Sequence, residues 1–156
     1  MAEPVAGWDP DAPRRLTRRG AERTTAAMSV VALAGMNHLS FPVRDLERSV
    51  RFYRDVLGLA PIPRPDLPIP GAWLGGNGIQ VHLIVPPEGV PLGAPPPSLN
   101  PLGGHVAFSI DDYDAAAAAL RAAGIETLAA GSEVGQLWIR DPDGHLIELI
   151  RGDVRR

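Results

Sequence analysis

The sequence predicts an α+β fold built from two tandem modules of similar length, each running strand, helix, then strands. Three observations support this prediction: one segment repeats along the chain, each copy contains a helical pattern, and short strand-like pieces follow each helix. With 156 residues, the chain is long enough for two small modules that share one core.

The repeat appears when residues 38–58, HLSFPVRDLERSVRFYRDVLG, are placed above residues 105–124, HVAFSIDDYDAAAAALRAAG. His38 then matches His105, and an apolar strand pattern follows each histidine. Each copy continues through an aspartate that suits a helix N-cap and ends in a glycine that suits a left-handed C-cap. These residues are Asp45 and Asp112 at the start, and Gly58 and Gly124 at the end.

A second alignment places WLGGNGIQVHLI, residues 73–84, above WIRDPDGHLIELI, residues 138–150. His82 falls on Glu148 once one extra turn residue is allowed. The intervals from His38 to His82 and from His105 to Glu148 are 44 and 43 residues. Each module therefore carries a potential ligand near both of its ends.

These patterns set the expected domain boundaries. Residues 1–34 form a disordered leader that runs into the first strand, and residues 35–86 form the first module. Residues 87–103 are a linker rich in Pro and Gly, and residues 104–152 form the second module.

Composition excludes several functions. The formal charge of −3 provides no general basic field for nucleic acid. Cysteine and lysine are both absent, which excludes disulfides, thiolate nucleophiles and Schiff-base lysines. No apolar run reaches the roughly 18 residues of a membrane span, so we expect a cytoplasmic protein without a membrane partner.

Side-chain alternation places the candidate ligands on equivalent faces. Along the first strand of each module, His38 and His105 share their faces with small residues, while the bulky residues point the other way. His82 and Glu148 lie in the closing strands. Taken singly, each histidine is also compatible with a polar residue whose hydrogen bonds are satisfied within the fold. Glu148 is also compatible with an edge strand on which its side chain faces water. His145 has the opposite parity to Glu148 and is interpreted as a surface residue.

The segments NHLSFPVRDLERSVRFYRDVLG, GHVAFSI and DPDGHLIEL, within residues 35–151, resemble the vicinal oxygen chelate superfamily. This superfamily includes glyoxalase I, bleomycin-resistance proteins, fosfomycin-resistance enzymes and extradiol dioxygenases. The resemblance implies paired βαβββ modules whose curved sheets form a metal cleft, and it implies a homodimer. Carried over residue by residue, it gives the metal ligands His38, His82, His105 and Glu148.

Neutral imidazoles and a carboxylate suit a divalent ion such as Fe²⁺, Ni²⁺, Zn²⁺, Mn²⁺ or Co²⁺. The leading hypothesis is a glyoxalase-I-like lyase or isomerase that acts on a small oxygen-chelating substrate by stabilising an enolate or oxyanion. Glu148 is then either a fixed ligand or the catalytic base.

Four residues are candidates for substrate binding, each with a simpler interpretation beside it. The two tryptophans are compatible with stacking on a flat substrate or with a place in the core. The arginine is compatible with binding an anion or with a solvated position at a strand end. The glutamine is compatible with a substrate contact or with a cross-strand hydrogen bond. They are Trp73, Trp138, Arg140 and Gln80.

Two other functions remain open. An Fe²⁺ ring-cleaving dioxygenase would use three of the four ligands, and a bleomycin-resistance-like binder would capture a drug or metabolite without catalysis. Glyoxalase I usually has a glutamate at the position of His82, so this chain departs from that enzyme in one ligand.

Overall fold

The computed structural model describes residues 30–31 and 33–152. Residues 1–29, most of the expected leader, lie outside the described part. The chain divides into a unit that ends at Gly35 and a unit that begins at Met36. All helices and strands of the described part belong to the second unit.

The first module consists of β1 (Leu39–Pro42), α1 (Leu46–Asp55), β2 (Ala60–Ile62), β3 (Gly71–Gly76) and β4 (Ile79–Ile84). Its strands form a sheet in the order β1-β4-β3-β2. β1 runs parallel to β4, and the other neighbours are antiparallel. The sheet is therefore mixed, with β1 at one edge.

The second module consists of β5 (Val106–Ile110), α2 (Tyr113–Ala122), β6 (Leu128–Ala129), β7 (Gln136–Arg140) and β8 (Leu146–Arg151). Its sheet order, β5-β8-β7-β6, repeats that of the first module, again with one parallel pair. The predicted α+β fold, with strand, helix and three strands occurring twice, is confirmed.

The caps explain where each helix begins and ends. The side chains of Asp45 and Asp112 accept hydrogen bonds from backbone N–H groups three residues later, at 2.9 Å in both helices. Gly58 and Gly124 have φ angles of 71° and 69°, a left-handed conformation that costs little without a Cβ. Both pairs of predicted caps are confirmed.

The bulky face of each sheet lies in one continuous hydrophobic core. Leu74, Leu83, Leu137 and Ile147 have no exposed surface and belong to a single cluster that includes residues of both modules. Burying each such side chain contributes roughly 1.5–3 kcal/mol. Because side chains alternate along a strand, the positions of His82 and Glu148 lie on the opposite faces of these sheets.

The turn between β7 and β8 joins the modules through a buried carboxylate. Asp141 is 4% exposed and accepts hydrogen bonds from the Tyr53 hydroxyl at 3.0 Å and from the backbone N–H groups of Asp143 and His145. Burial raises the pKa of Asp141, and it also raises that of Tyr53, with Asp141 adding to the latter effect.

His145 is part of the same junction, so its interpretation as a surface residue is wrong. The side chain is partly buried, and its Nε2–H donates to the Pro42 carbonyl at 2.8 Å. Its ring also lies against Phe41, with centroids 5.0 Å apart. The turn folds back onto β1 of the other module, a contact that strand parity does not reveal.

The neighbouring Asp143 binds the start of α1. Its carboxylate accepts from the Arg44 backbone N–H at 3.0 Å, the Arg44 guanidinium at 3.3 Å and the Ser49 hydroxyl at 3.2 Å. Arg44 also donates to the Gly93 carbonyl. These contacts connect the first helix, the segment between the modules and the second module.

In the part of the chain that the structure describes, no helix has the length and apolar character needed to cross a membrane.

Candidate metal centre

Two of the predicted ligands lie where the chain enters the first strand of each module. His38 and His105 immediately precede β1 and β5. His38 is exposed, and the side chain of His105 is 28% exposed. They line one open cleft of about 940 Å³ together with Gln80. Both imidazoles are therefore accessible to a ligand.

His82 is buried in a stack of three rings. The Trp73 indole lies on one face of its imidazole, with centroids 4.0 Å apart and planes at 5°. His38 lies on the other side, at 4.0 Å and 17°. Register explains the first contact, because Trp73 on β3 and His82 on β4 are directly paired.

This stack is not itself a metal-binding geometry. A metal ion lies near the plane of every imidazole that binds it, and two nearly parallel rings 4.0 Å apart cannot both meet that condition for one ion. His38 is exposed and can rotate, whereas His82 is held by Trp73. The Nδ1–H of His38 donates to Asn37 Oδ1 at 2.7 Å, which leaves Nε2 free as a donor to metal.

The surroundings of His82 favour its neutral form. Burial lowers its pKa, and the charges of His38 and Arg64 act in the same direction. Neutral imidazole is the metal-binding form. His82 Nε2–H donates to Gln80 Oε1 at 3.3 Å, which leaves Nδ1 without a proton.

Glu148 is the centre of the second half of the site. It is 6% exposed and lies directly opposite Trp138 in the register of β7 and β8. One carboxylate oxygen accepts from the Gln136 amide at 2.6 Å, and the other lies 2.9 Å from His105 Nε2. A buried carboxylate needs such partners, since desolvation without them costs several kcal/mol.

The contact between His105 and Glu148 shows that this pair suits a cation. A carbonyl oxygen only accepts, so the 2.8 Å contact between His105 Nδ1 and Gly103 O requires a proton on Nδ1. Nε2 and the carboxylate are then two electron-pair donors 2.9 Å apart, which need a proton or a metal ion between them. The donor set therefore fits a divalent metal.

The structure brings the four predicted ligands together in two pairs, His38 with His82 and His105 with Glu148. Across residues 30–31 and 33–152, no group of three or more His, Asp or Glu side chains is placed to hold a metal ion. Each module thus brings together one pair of the predicted ligands.

The four predicted substrate-binding residues occupy different surroundings. Trp73 and Gln80 both contact His82, as described above. Trp138 is buried beside Glu148, and its indole Nε1–H has no hydrogen-bond partner among the described residues. Arg140 donates to Pro96 O at 2.7 Å and pairs with Glu126, so it holds the segment between the modules.

Sequence reasoning missed Gln136, although a signal for it existed. Gln136 shares the face of Trp138 at a spacing of two residues, and it is the diagonal neighbour of Glu148 across β7 and β8. An amide at that position can reach a buried carboxylate. Gly103, which orients His105 through its carbonyl, carries no side chain that could have marked it.

Comparison with known proteins identifies the family of the chain. The family model described as the Glyoxalase/Bleomycin resistance protein/Dioxygenase superfamily matches residues 35–149. Glyoxylase I 4 of Arabidopsis thaliana is 37% identical over 127 residues, covering 78% of this chain and 72% of the relative. Metallothiol transferase FosB of Shouchella clausii is 30% identical, covering 76% of this chain and 80% of the relative.

A solved structure shows the same fold. The fosfomycin resistance protein FosX from Mesorhizobium loti superposes with a TM-score of 0.60 at 22% identity, covering 79% of this chain and 95% of that one. The family model spans most of the sequence, including both modules and all four predicted ligands. The chain belongs to the Glyoxalase/Bleomycin resistance protein/Dioxygenase superfamily.

Proposed function

We propose that this protein is a metal-dependent, glyoxalase-I-like lyase or isomerase acting on a small substrate with two neighbouring oxygens. One observation carries the proposal: two pairs of candidate ligands, His38 with His82 and His105 with the buried Glu148, occur at equivalent positions of a repeated fold. The name of the Arabidopsis relative, glyoxylase I, supports this class of reaction.

The four ligands, His38, His82, His105 and Glu148, would hold a divalent ion, which supplies the Lewis acidity that stabilises negative charge as an enolate develops. Glu148 is the group of the chain suited to accept the proton from the carbon next to the substrate carbonyl. Gln136 orients its carboxylate, and the burial of Glu148 limits competition from water.

We further propose that two copies of the chain complete each site. Within one chain, the apolar faces of both sheets share a core, and each half-site lies on the opposite face of its own sheet. A two-fold dimer would place the His38–His82 pair of one chain against the His105–Glu148 pair of the other, twice. The edge strands β1 and β5 are available for such pairing.

The test of the proposed reaction is hydrogen exchange in D₂O. Protein loaded in turn with Mn²⁺, Ni²⁺, Zn²⁺ or Fe²⁺ is incubated with a panel of α-hydroxy ketones and thiohemiacetals. We expect metal-dependent loss of the C–H signal next to the carbonyl, measured by NMR, because an enolate that forms on the enzyme is reprotonated from solvent. Protein treated with a chelator is the control.

The two other functions give different results in the same samples. Catechol-dependent oxygen uptake by the Fe²⁺ form, without proton exchange, would identify a dioxygenase. Protein that takes up no metal and catalyses neither reaction would contradict the enzyme and identify a small-molecule binder.

A further inference from the structure

Arg64 lies in a stiff segment between β2 and β3. Prolines restrict the backbone on both sides of it, since each fixes φ near −65°. The Arg64 guanidinium donates to the Ile69 carbonyl at 2.5 Å through Nη2, which folds the side chain back towards β3. The prolines of the segment are Pro63, Pro65, Pro68 and Pro70.

The guanidinium of Arg64 lies on the metal-site face of the first sheet. Gly71 precedes Trp73 by two residues on β3, so their side-chain directions share the face that carries His82. A Cβ added at Gly71 would point to this face, 3.5 Å from Arg64 Nη2. It would also lie 2.4 Å from the Leu83 carbonyl, so only glycine fits there.

Arg64 is a partly buried cation without an acidic partner. Arg44, Arg54 and Arg140 each form an ion pair with a carboxylate, whereas Arg64 forms none among the described residues. Its hydrogen bond to the Ile69 carbonyl uses a single donor nitrogen, and a guanidinium has five N–H donors in a planar fork. Carboxylates and phosphates match that fork, and partial burial strengthens the attraction.

We propose that Arg64 binds an anionic group, a carboxylate or a phosphate, on the substrate. This inference rests on the proposed function and narrows its substrate class to small oxygen-chelating molecules that also carry an anion. Arg64 is then the residue that selects charged over neutral substrates.

The first arm of the test uses metal-free protein. Wild type, Arg64→Gln and Arg51→Gln are titrated with inorganic phosphate and, separately, with propionate. The readout is the NMR signal of the Trp73 indole N–H, assigned with Trp73→Phe. We expect a saturable shift in wild type and in Arg51→Gln, an exposed-helix control, and its loss in Arg64→Gln. The anion that shifts this signal at the lower concentration identifies the chemical group that Arg64 recognises.

The second arm uses metal-loaded protein and two chelators of equal length. Succinic monohydroxamate carries a terminal carboxylate, and butyrohydroxamate ends in a methyl group. We expect wild type to prefer the carboxylate by roughly tenfold, the scale of one charge-assisted hydrogen bond. Arg64→Gln should lose the preference and bind butyrohydroxamate as wild type does.

The outcomes separate this inference from the proposed function. Equal affinity of wild type for both hydroxamates, or a Trp73 shift that survives Arg64→Gln, overturns the role of Arg64 while the metal enzyme stands. If the protein takes up no metal, the proposed function fails and the first arm alone decides whether Arg64 is an anion site.

Discussion

Glu148→Gln should weaken metal binding and slow catalysis together. Glu148 is the only carboxylate in the donor set, and its two oxygens contact His105 and Gln136. Glutamine keeps the size but removes the charge and the basic oxygen. We expect metal affinity to fall more than the roughly 10–100-fold typical of outer-shell losses. In samples saturated with metal, kcat/KM should fall by about 10²–10⁴-fold, the range for losing a general base.

Gln136→Leu should weaken metal binding less than Glu148→Gln does. It leaves every proposed ligand in place but removes the 2.6 Å hydrogen bond that orients Glu148. We expect metal affinity, measured by competition with a chelating dye, to fall by roughly 10–100-fold. Thermal unfolding of the metal-free variants checks that both remain folded. Wild-type metal affinity in Glu148→Gln would show that this carboxylate is not a ligand.

Asp141→Ala should cause a large loss of stability without changing any proposed metal ligand. The carboxylate satisfies three buried donors: the Tyr53 hydroxyl and the backbone N–H groups of Asp143 and His145. Alanine leaves them unpaired at the junction of the modules. We expect the free energy of unfolding, measured by urea denaturation, to fall by roughly 3 kcal/mol. Tyr53→Phe removes only one of these bonds and should cost about 1 kcal/mol.

Asp141→Asn separates the charge of this side chain from its hydrogen bonds. Burial raises the pKa of Asp141 above 3.8, so the folded state holds its proton to higher pH than the unfolded state does. The folded state binds more protons in that window, and stability falls as pH rises through it. Asparagine does not ionise. We therefore expect Asp141→Asn to gain stability relative to wild type as pH rises from about 4 through the raised pKa of Asp141. A stability difference between Asp141→Asn and wild type that stays constant with pH, or that changes in the opposite sense, would contradict the raised pKa of Asp141.

The features that could be predicted from sequence are those set by short-range rules. The caps at Asp45 and Asp112 follow from local hydrogen bonding, and the glycine ends of the helices follow from backbone freedom. The equivalent positions of Trp73 and Trp138, opposite His82 and Glu148, follow from the repeat, because equivalent strands pair in equivalent register. The fold class was predictable for the same reason.

The features that could not be predicted depend on where distant segments meet. His145 contacts Pro42 because the turn after β7 folds against the other module, and its own neighbours in sequence do not encode that contact. Arg64 reaches the sheet face because a proline-rich segment bends there. No periodicity in the sequence predicts the path of that segment. The separation of the four ligands into pairs depends on how the modules pack, which strand parity leaves undetermined.

Mixed dimers test most directly whether ligands from two chains form each metal centre. His82→Ala and Glu148→Ala chains, carrying different affinity tags, are co-expressed and purified through both tags. A site shared between chains leaves one intact centre per mixed dimer, so we expect about half a metal ion per chain, against about one in wild type. Each variant alone should hold none. Wild type that binds metal while the mixed dimer holds none would contradict the shared site, and wild type without metal would contradict the metal centre itself.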